Sequence, residues 1–270
     1  MDEERPSVTA EGAAVMRALH QVPRHDPRIL DDPISLRLVD PLGDFYKSRF
    51  DLLERLPTLT RLRLEATFVM RSRYAEDCLA EAFDEGVRQY VLLGAGLDTF
   101  AYRQPSWSKS LRIFEVDHPA THHWKRRRLT KASVSIPDNT VFVAVDFEKI
   151  SIAPALSQAG LDLKEATFFS LLGVSQYLTE AALDKTLRFI CSGASKSEVV
   201  FSFVASDAVL SPDDVALAKA FATQFAAIGE PWLSRFDPEQ LLTKLTKVER
   251  PPAQNGSNFA FIDHLTPVRP

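Results

Sequence analysis

The chain has only two cysteines, Cys78 and Cys191, and that scarcity excludes two architectures. Two isolated thiols make neither a disulfide framework nor a metal-ligand spacing, so they read as reduced thiols of a cytosolic protein and no metal site is expected. A basic excess is also missing: Lys and Arg number 32 against 36 Asp and Glu, a formal net charge of −4. That balance argues against nucleic acid as the main partner. No apolar window nears the roughly 18 residues needed to span a bilayer. The opening MDEERPSVTAEGAAVMRALHQ is acidic, without the apolar core of a signal peptide. There is no internal repeat and no low-complexity linker. What remains, 45% hydrophobic and 25% charged over 270 residues, is the composition of an ordinary globular protein, expected in the cytoplasm. No membrane partner is expected, and oligomeric state stays open.

Hydrophobic periodicity divides the chain. Residues 1–86 read as helical: TAEGAAVMRALHQV with Thr9 as cap candidate, a proline-interrupted stretch DPRILDDPISLRLVDPL, and a long amphipathic segment closing at Gly86. From RQYVLLGAG onward the period changes. That run, LRIFEVDHP, TVFVAVDFEKI, ATFFSLLGVSQYL and SEVVFSFVAS read as buried strands, with helical segments between them. Such alternation implies a parallel sheet covered on both faces. Beyond residue 205, PDDVALAKAFATQFAAIGEPW reads as a helix opening at Ser211-Pro212, and DPEQLLTKL as another capped by Asp237. LTKVERPP and NFAFIDHLTP read as closing strands. The expectation is one doubly wound α/β domain over 1–270 with about seven strands, mostly parallel. Its parts are a helical region at 1–86, a core at 87–205, and cap helices with the last strands at 206–270.

In such sheets ligands bind beyond the carboxyl ends of the strands. Strand one ends in Gly94-Ala95-Gly96-Leu97-Asp98, where the glycines let backbone approach a ligand. Asp117 closes strand two about 20 residues later, the spacing at which a carboxylate takes ribose hydroxyls. Glu115 precedes it on the same face. Asp146 and Phe147 offer an acceptor and an apolar plate suited to an adenine. Strand four ends at Leu171-Leu172. Together these describe a nucleoside pocket, for a nicotinamide dinucleotide or S-adenosylmethionine. A dinucleotide fingerprint wants a third glycine at position 99, where Thr99 stands, and Asp98 would repel a pyrophosphate while tolerating an ammonium or sulfonium. S-adenosylmethionine is favoured.

RQYVLLGAGLDTFAYR, FEVDHPATHHWKRRRL, VAVDFE and FFSLLGVSQYLTEAAL, in that order, resemble the motifs of the leucine carboxyl methyltransferase family. The likeness is closer to its bacterial and secondary-metabolite branch of S-adenosylmethionine-dependent O-methyltransferases. TAEGAAVMRAL, DPRILDDPISLRLV and GEPWLSRFDPEQLLTKL match as well, so the likeness spans roughly residues 9–265. It implies a class I methyltransferase (Rossmann-like) fold with an N-terminal helical lid and a late cap. It also implies that Arg71, with Arg73 as second choice and Arg17 as a further candidate, meets the methionine carboxylate of the cofactor. Asp117 falls at the ribose position, and Asp146 with Phe147 at the adenine position. Where eukaryotic members carry a glutamate after strand four, this chain has Leu172, whose backbone carbonyl alone is left to meet the cofactor's amino group. That departure weakens the inference of a protein carboxyl terminus as substrate.

The expected activity is S-adenosylmethionine-dependent O-methylation of a small molecule, such as a secondary metabolite, at a carboxylate or a hydroxyl. A carboxylate needs no general base, and no histidine is placed to serve as one. The alternatives are a nicotinamide-dependent oxidoreductase and a non-catalytic binding protein of the same fold. His122, His123 and the following KRRR read as a solvated helix face, since adjacent helical residues point about 100° apart and cannot share a metal. Phe168, Phe169, Phe201 and Phe203 read as core, and Phe221, Phe225 and Trp232 as a possible apolar lining.

Overall fold

The computed structural model describes residues 7–22, 28–39, 55, 57–246 and 259–263. Helix α1 (Val8–His20) forms where expected, but Ser7 rather than Thr9 caps it: Ser7 Oγ accepts from Ala10 N at 3.1 Å, leaving Thr9 inside the first turn. The proline-interrupted stretch holds a short helix, α2 (Pro33–Leu38), with Pro33 at a first-turn position and Asp32 accepting from Ser35 N. Proline costs nothing there because its missing N–H has no helical partner. Helix α3 (Thr58–Asp84) is about 40 Å long and ends ahead of Gly86, whose φ of +106° turns the chain toward the sheet.

The strands are β1 (Gln89–Leu93), β2 (Arg112–Asp117), β3 (Thr140–Ala144), β4 (Thr167–Leu171), β5 (Glu198–Phe203) and β6 (Phe259–Asp263). They form one six-stranded sheet in the order β3-β2-β1-β4-β5-β6, every neighbouring pair parallel. Among the described residues there are six strands, not seven. LTKVERPP begins as the end of a helix at Leu245–Thr246 and otherwise lies outside the described residues. Crossovers carry α4 (Pro119–Lys131), α5 (Ile152–Gln158) and α6 (Glu180–Cys191); α7 (Pro212–Ala227) and α8 (Pro238–Thr246) lie between β5 and β6. Ser211 and Asp237 sit at the starts of α7 and α8, accepting from Asp214 N at 3.2 Å and from Gln240 N at 3.1 Å. No helix among the described residues is long and apolar enough to cross a membrane.

Each strand feeds two cores because successive side chains point to opposite faces. Val91, Leu93, Phe114, Val116, Phe169, Leu171 and Phe201 pack on α5 and α6 through Leu156, Leu183, Leu187 and Ile190. Tyr90, Leu92, Ile113, Phe168 and Val200 pack on α3 through Ala75, Leu79 and Ala82. Fully burying side chains of this size stabilises by about 1.5–3 kcal/mol each, so both faces of the sheet are rigid supports. The strand order turns back between β1 and β4, and the crevice above that point is where such sheets hold ligands.

Candidate cofactor and active site

A cavity of about 570 Å³ opens over the ends of β1, β2 and β4, roofed by α1, α3 and α7. Gly94 and Gly96 form its floor in the left-handed region, φ +75° and +44°. The turn also needs their smallness: a Cβ on Gly94 would lie 2.2 Å from Val174 Cγ2, and one on Gly96 3.1 Å from the Ala10 Cβ of α1. Gly94 N and Ala95 N both donate to Val116 O, at 2.8 and 3.0 Å, which ties the turn to β2.

Asp117, at the last position of β2, reaches the same turn. Its Oδ2 accepts from Gly96 N at 2.6 Å and its Oδ1 from His118 N at 2.7 Å. Burial pushes its pKa up, and those two backbone donors oppose the rise. Each oxygen keeps acceptor capacity beyond its backbone bond. Asp98, half-buried on the wall, accepts from Phe100 N at 2.8 Å through Oδ1. Asp146 and Phe147 line the side under the β3 end. Asp146 Oδ1 accepts from Glu148 N at 3.1 Å, and Phe147 packs against the core.

Two arginines enter at the glycine end. Arg17, from α1, donates through Nη2 to Leu97 O at 2.6 Å and through Nε to Asp32 Oδ2 at 3.2 Å. Arg71, from α3, lies over the Phe68 ring at 4.6 Å and is equally buried. Burial, with the charge of Arg17 close by, lowers the Arg71 pKa to about 9. Both guanidinium groups stand on the wall that holds Gly94, Gly96 and Asp98.

Of the candidate residues, Arg17, Arg71, Gly94, Ala95, Gly96, Asp98, Asp117, Asp146, Phe147 and Leu172 share this cavity, whereas Glu115 and Leu171 do not. Glu115 is fully buried behind the floor, 2.8 Å from Lys125 Nζ, and its Oε2 also accepts from Tyr102 Oη at 2.9 Å. Lying on the same strand face as Asp117 is not enough, since α4 covers that face one step below the strand end. Leu171 points into the core, and it is the next residue, beyond the strand, that meets the cavity. Lys125 corrects a second expectation: this member of the KRRR run has no exposure, although Arg126 and Arg127 do face solvent. His122 is likewise buried, edge-on to Phe142, with burial and then Lys125 and Arg126 lowering its pKa to about 3.

The far end of the cavity is apolar. Phe221 and Phe225 stack at 5.9 Å, and Trp232 lies 5.7 Å from Phe225. Met16, Leu64 and Leu217 complete that wall. Glu230, which sequence reasoning missed, closes the roof. Its carboxylate accepts from Val8 N at 2.6 Å, Thr9 N at 3.0 Å and Thr9 Oγ1 at 2.5 Å, joining the start of α1 to the turn after α7. A charged residue after a helix-ending glycine is too common a pattern to have signalled this.

The profile of the leucine carboxyl methyltransferase family matches residues 10–191. A Bacillus subtilis protein described as a candidate S-adenosyl-L-methionine-dependent methyltransferase is 31% identical over 99% of this chain and 90% of its own length. A Mycolicibacterium smegmatis protein described in the same way is 35% identical over 66% of this chain, and the match spans only 60% of that relative. Among solved structures, a candidate methyltransferase from Thermobifida fusca superposes with a TM-score of 0.55 at 19% identity, covering 91% of this chain and 82% of its own. A DUF574 family protein from Streptomyces avermitilis gives 0.52 at 15% identity, covering 86% and 80%. The fold is that of the class I methyltransferases. With two thirds of its length inside the family profile and a relative alike from end to end, the chain belongs to the leucine carboxyl methyltransferase family.

Proposed function

We propose that the protein is an S-adenosylmethionine-dependent O-methyltransferase that esterifies a carboxylate of a small, largely apolar molecule. The observation that carries this reading is the arrangement of charge around one cavity. Buried Arg17 and Arg71 suit the carboxylate of a zwitterionic amino-acid group, and Asp98 beside them suits its ammonium. Asp117 has acceptor capacity for a ribose diol, and Asp146 with Phe147 for an adenine. Asp98 and Asp117 would both oppose the phosphates of a dinucleotide.

Bound S-adenosylmethionine supplies a methyl group on positively charged sulfur. The protein's part is to hold the acceptor oxygen in line with it and to exclude water. The enclosed wall of Phe221, Phe225 and Trp232 does both for an apolar molecule. Esterification of a carboxylate makes one C–O bond, breaks one C–S bond and moves no proton. A hydroxyl acceptor would need a base. His118 is the sole imidazole among the described cavity-lining residues, and its Nδ1 accepts from Ala120 N at 3.3 Å as the α4 cap. That placement, capping α4 beside Asp146 at the adenine end assigned above, favours the carboxylate.

Calorimetry with S-adenosylmethionine, S-adenosylhomocysteine and NAD tests the cofactor. Binding of NAD without S-adenosylmethionine would overturn the proposal, and binding of none would favour a non-catalytic protein. Methyl-labelled cofactor offered with paired aromatic acids and phenols then separates base-labile esters from base-stable ethers.

A further inference from the structure

Asp32 is fully buried and forms no part of the cavity wall, yet its carboxylate stands between two arginines. Arg17 Nε donates to Oδ2 at 3.2 Å, Arg103 Nε lies 3.4 Å from Oδ1, and Ser35 N donates to Oδ1 at 3.1 Å. The seat that holds Asp32 is built by the last turn of α1. Asp32 N donates to Gln21 Oε1 at 2.9 Å, while Gln21 Nε2 reaches Arg17 O and Leu30 O at 3.2 and 3.0 Å. His20 Nε2 accepts from Ile29 N at 3.0 Å. So the helix that carries Arg17 also grips the loop 28–32, and that loop returns a carboxylate to Arg17 one turn earlier, on the same helix face. Behind Asp32, Glu76 holds Arg103 in a two-pronged pair. Charge alternates along Arg17, Asp32, Arg103 and Glu76, so each ion, buried or half-buried, lies beside an opposite one.

A guanidinium presents its donors in a planar fork. With Nε on Asp32 and Nη2 on Leu97 O, the plane of Arg17 is set at two points while the side chain remains on the cavity wall. We infer that Asp32 is the positioning residue for Arg17, holding its guanidinium in the orientation that receives the carboxylate of the cofactor's amino-acid half. The inference rests on the cofactor reading above and adds a residue that touches neither cofactor nor substrate.

Calorimetry on the full chain with two probes tests it. S-adenosylhomocysteine carries the carboxylate, whereas 5′-methylthioadenosine keeps the nucleoside and lacks the amino-acid half. In Asp32→Asn the oxygen that takes Ser35 N–H keeps the helix cap, which turns the amide NH₂ toward Arg17 Nε–H, donor against donor. S-adenosylhomocysteine affinity should fall about tenfold, with 5′-methylthioadenosine within about twofold of wild type. Gln21→Met alters no charge and unseats Asp32, together with the Gln21 bonds to Arg17 O and Leu30 O; it should lose about threefold on S-adenosylhomocysteine alone, and it carries the test if Asp32→Asn does not fold. Equal losses on both probes would reduce the network to structural support. Unchanged S-adenosylhomocysteine affinity, or tighter binding in Asp32→Asn, would mean that the carboxylate at most damps the charge of Arg17. Any of these results overturns the inference. A wild-type chain that binds neither probe removes the cofactor reading itself, and this inference with it.

Discussion

Gly173→Ala isolates the contribution of Arg71 without touching it. Gly173 follows β4 with φ +73°, and a Cβ there would lie 2.7 Å from Arg71 Nη1 and 2.9 Å from Nη2. An ordinary contact needs about 3.5 Å, so the guanidinium must retreat by about 0.8 Å. Because the clash is with the far end of a long, flexible side chain and not with backbone, the fold yields there first. The stability cost is then mainly that of an L residue in the left-handed region, about 1–2 kcal/mol, which at this chain length lowers Tm by about 2–4 °C. The binding cost is separate. Losing charge-assisted hydrogen bonds to the cofactor carboxylate is worth about 1.5–3 kcal/mol, or roughly 10- to 150-fold in Kd. Gly86→Ala supplies the control: it too places an L residue at positive φ, +106°, with nothing within 4 Å of the new Cβ. Melting curves should fall in both variants, and calorimetric Kd values for S-adenosylhomocysteine should separate them. If Gly173→Ala binds as tightly as Gly86→Ala, Arg71 does not hold the carboxylate and the charge argument fails.

Other perturbations probe other parts of the same frame. Asp117→Asn should weaken S-adenosylhomocysteine and 5′-methylthioadenosine alike, by about tenfold or more, because the ribose is common to both; a loss on one probe alone would refute the ribose assignment. Lys125→Met strands Glu115 in the core and should cost about 3–5 kcal/mol in chemical denaturation, with the double variant Lys125→Met/Glu115→Gln recovering much of it. Since the folded pKa of His122 lies below its usual 6.5, the unfolded chain takes up a proton first as the solution is acidified, so stability falls between about pH 6.5 and 3 by at most about 1.4 kcal/mol per unit. His122→Phe should flatten that part of the unfolding profile, and an unchanged slope would show that other groups set it.

The cavity floor was legible because strand ends announce themselves. An apolar run closed by Gly94-Ala95-Gly96, and others closed by Asp117 and by Asp146-Phe147, mark where backbone leaves the sheet, and a parallel sheet puts all those exits on one edge. What could not be read was depth. Lys125 belongs to a basic run whose neighbours are solvated, and only the packing angle of α4 on β2 decides which of them turns inward. Glu115 and Asp117 differ by two positions on one strand face, and nothing in the sequence shows that the helix covers one and not the other. Asp32 reads as turn chemistry before a proline because its meaning depends on Gln21 and Arg17, which approach it only once α1 has docked. The Thr9 cap failed for the same reason: its hydroxyl is drawn to Glu230, across the molecule.

The bond from Val8 N to Glu230 joins residues 222 positions apart. During synthesis the first helix leaves the ribosome long before its acceptor has been made, so the roof of the cavity is finished after the sheet beneath it can form. A chain that stops short of residue 230 can keep the floor of Gly94, Gly96 and Asp117 while leaving α1 without its anchor. The enclosure over the site therefore depends on a contact that closes only once residue 230 has been made, and it is lost first from a chain shortened before that point.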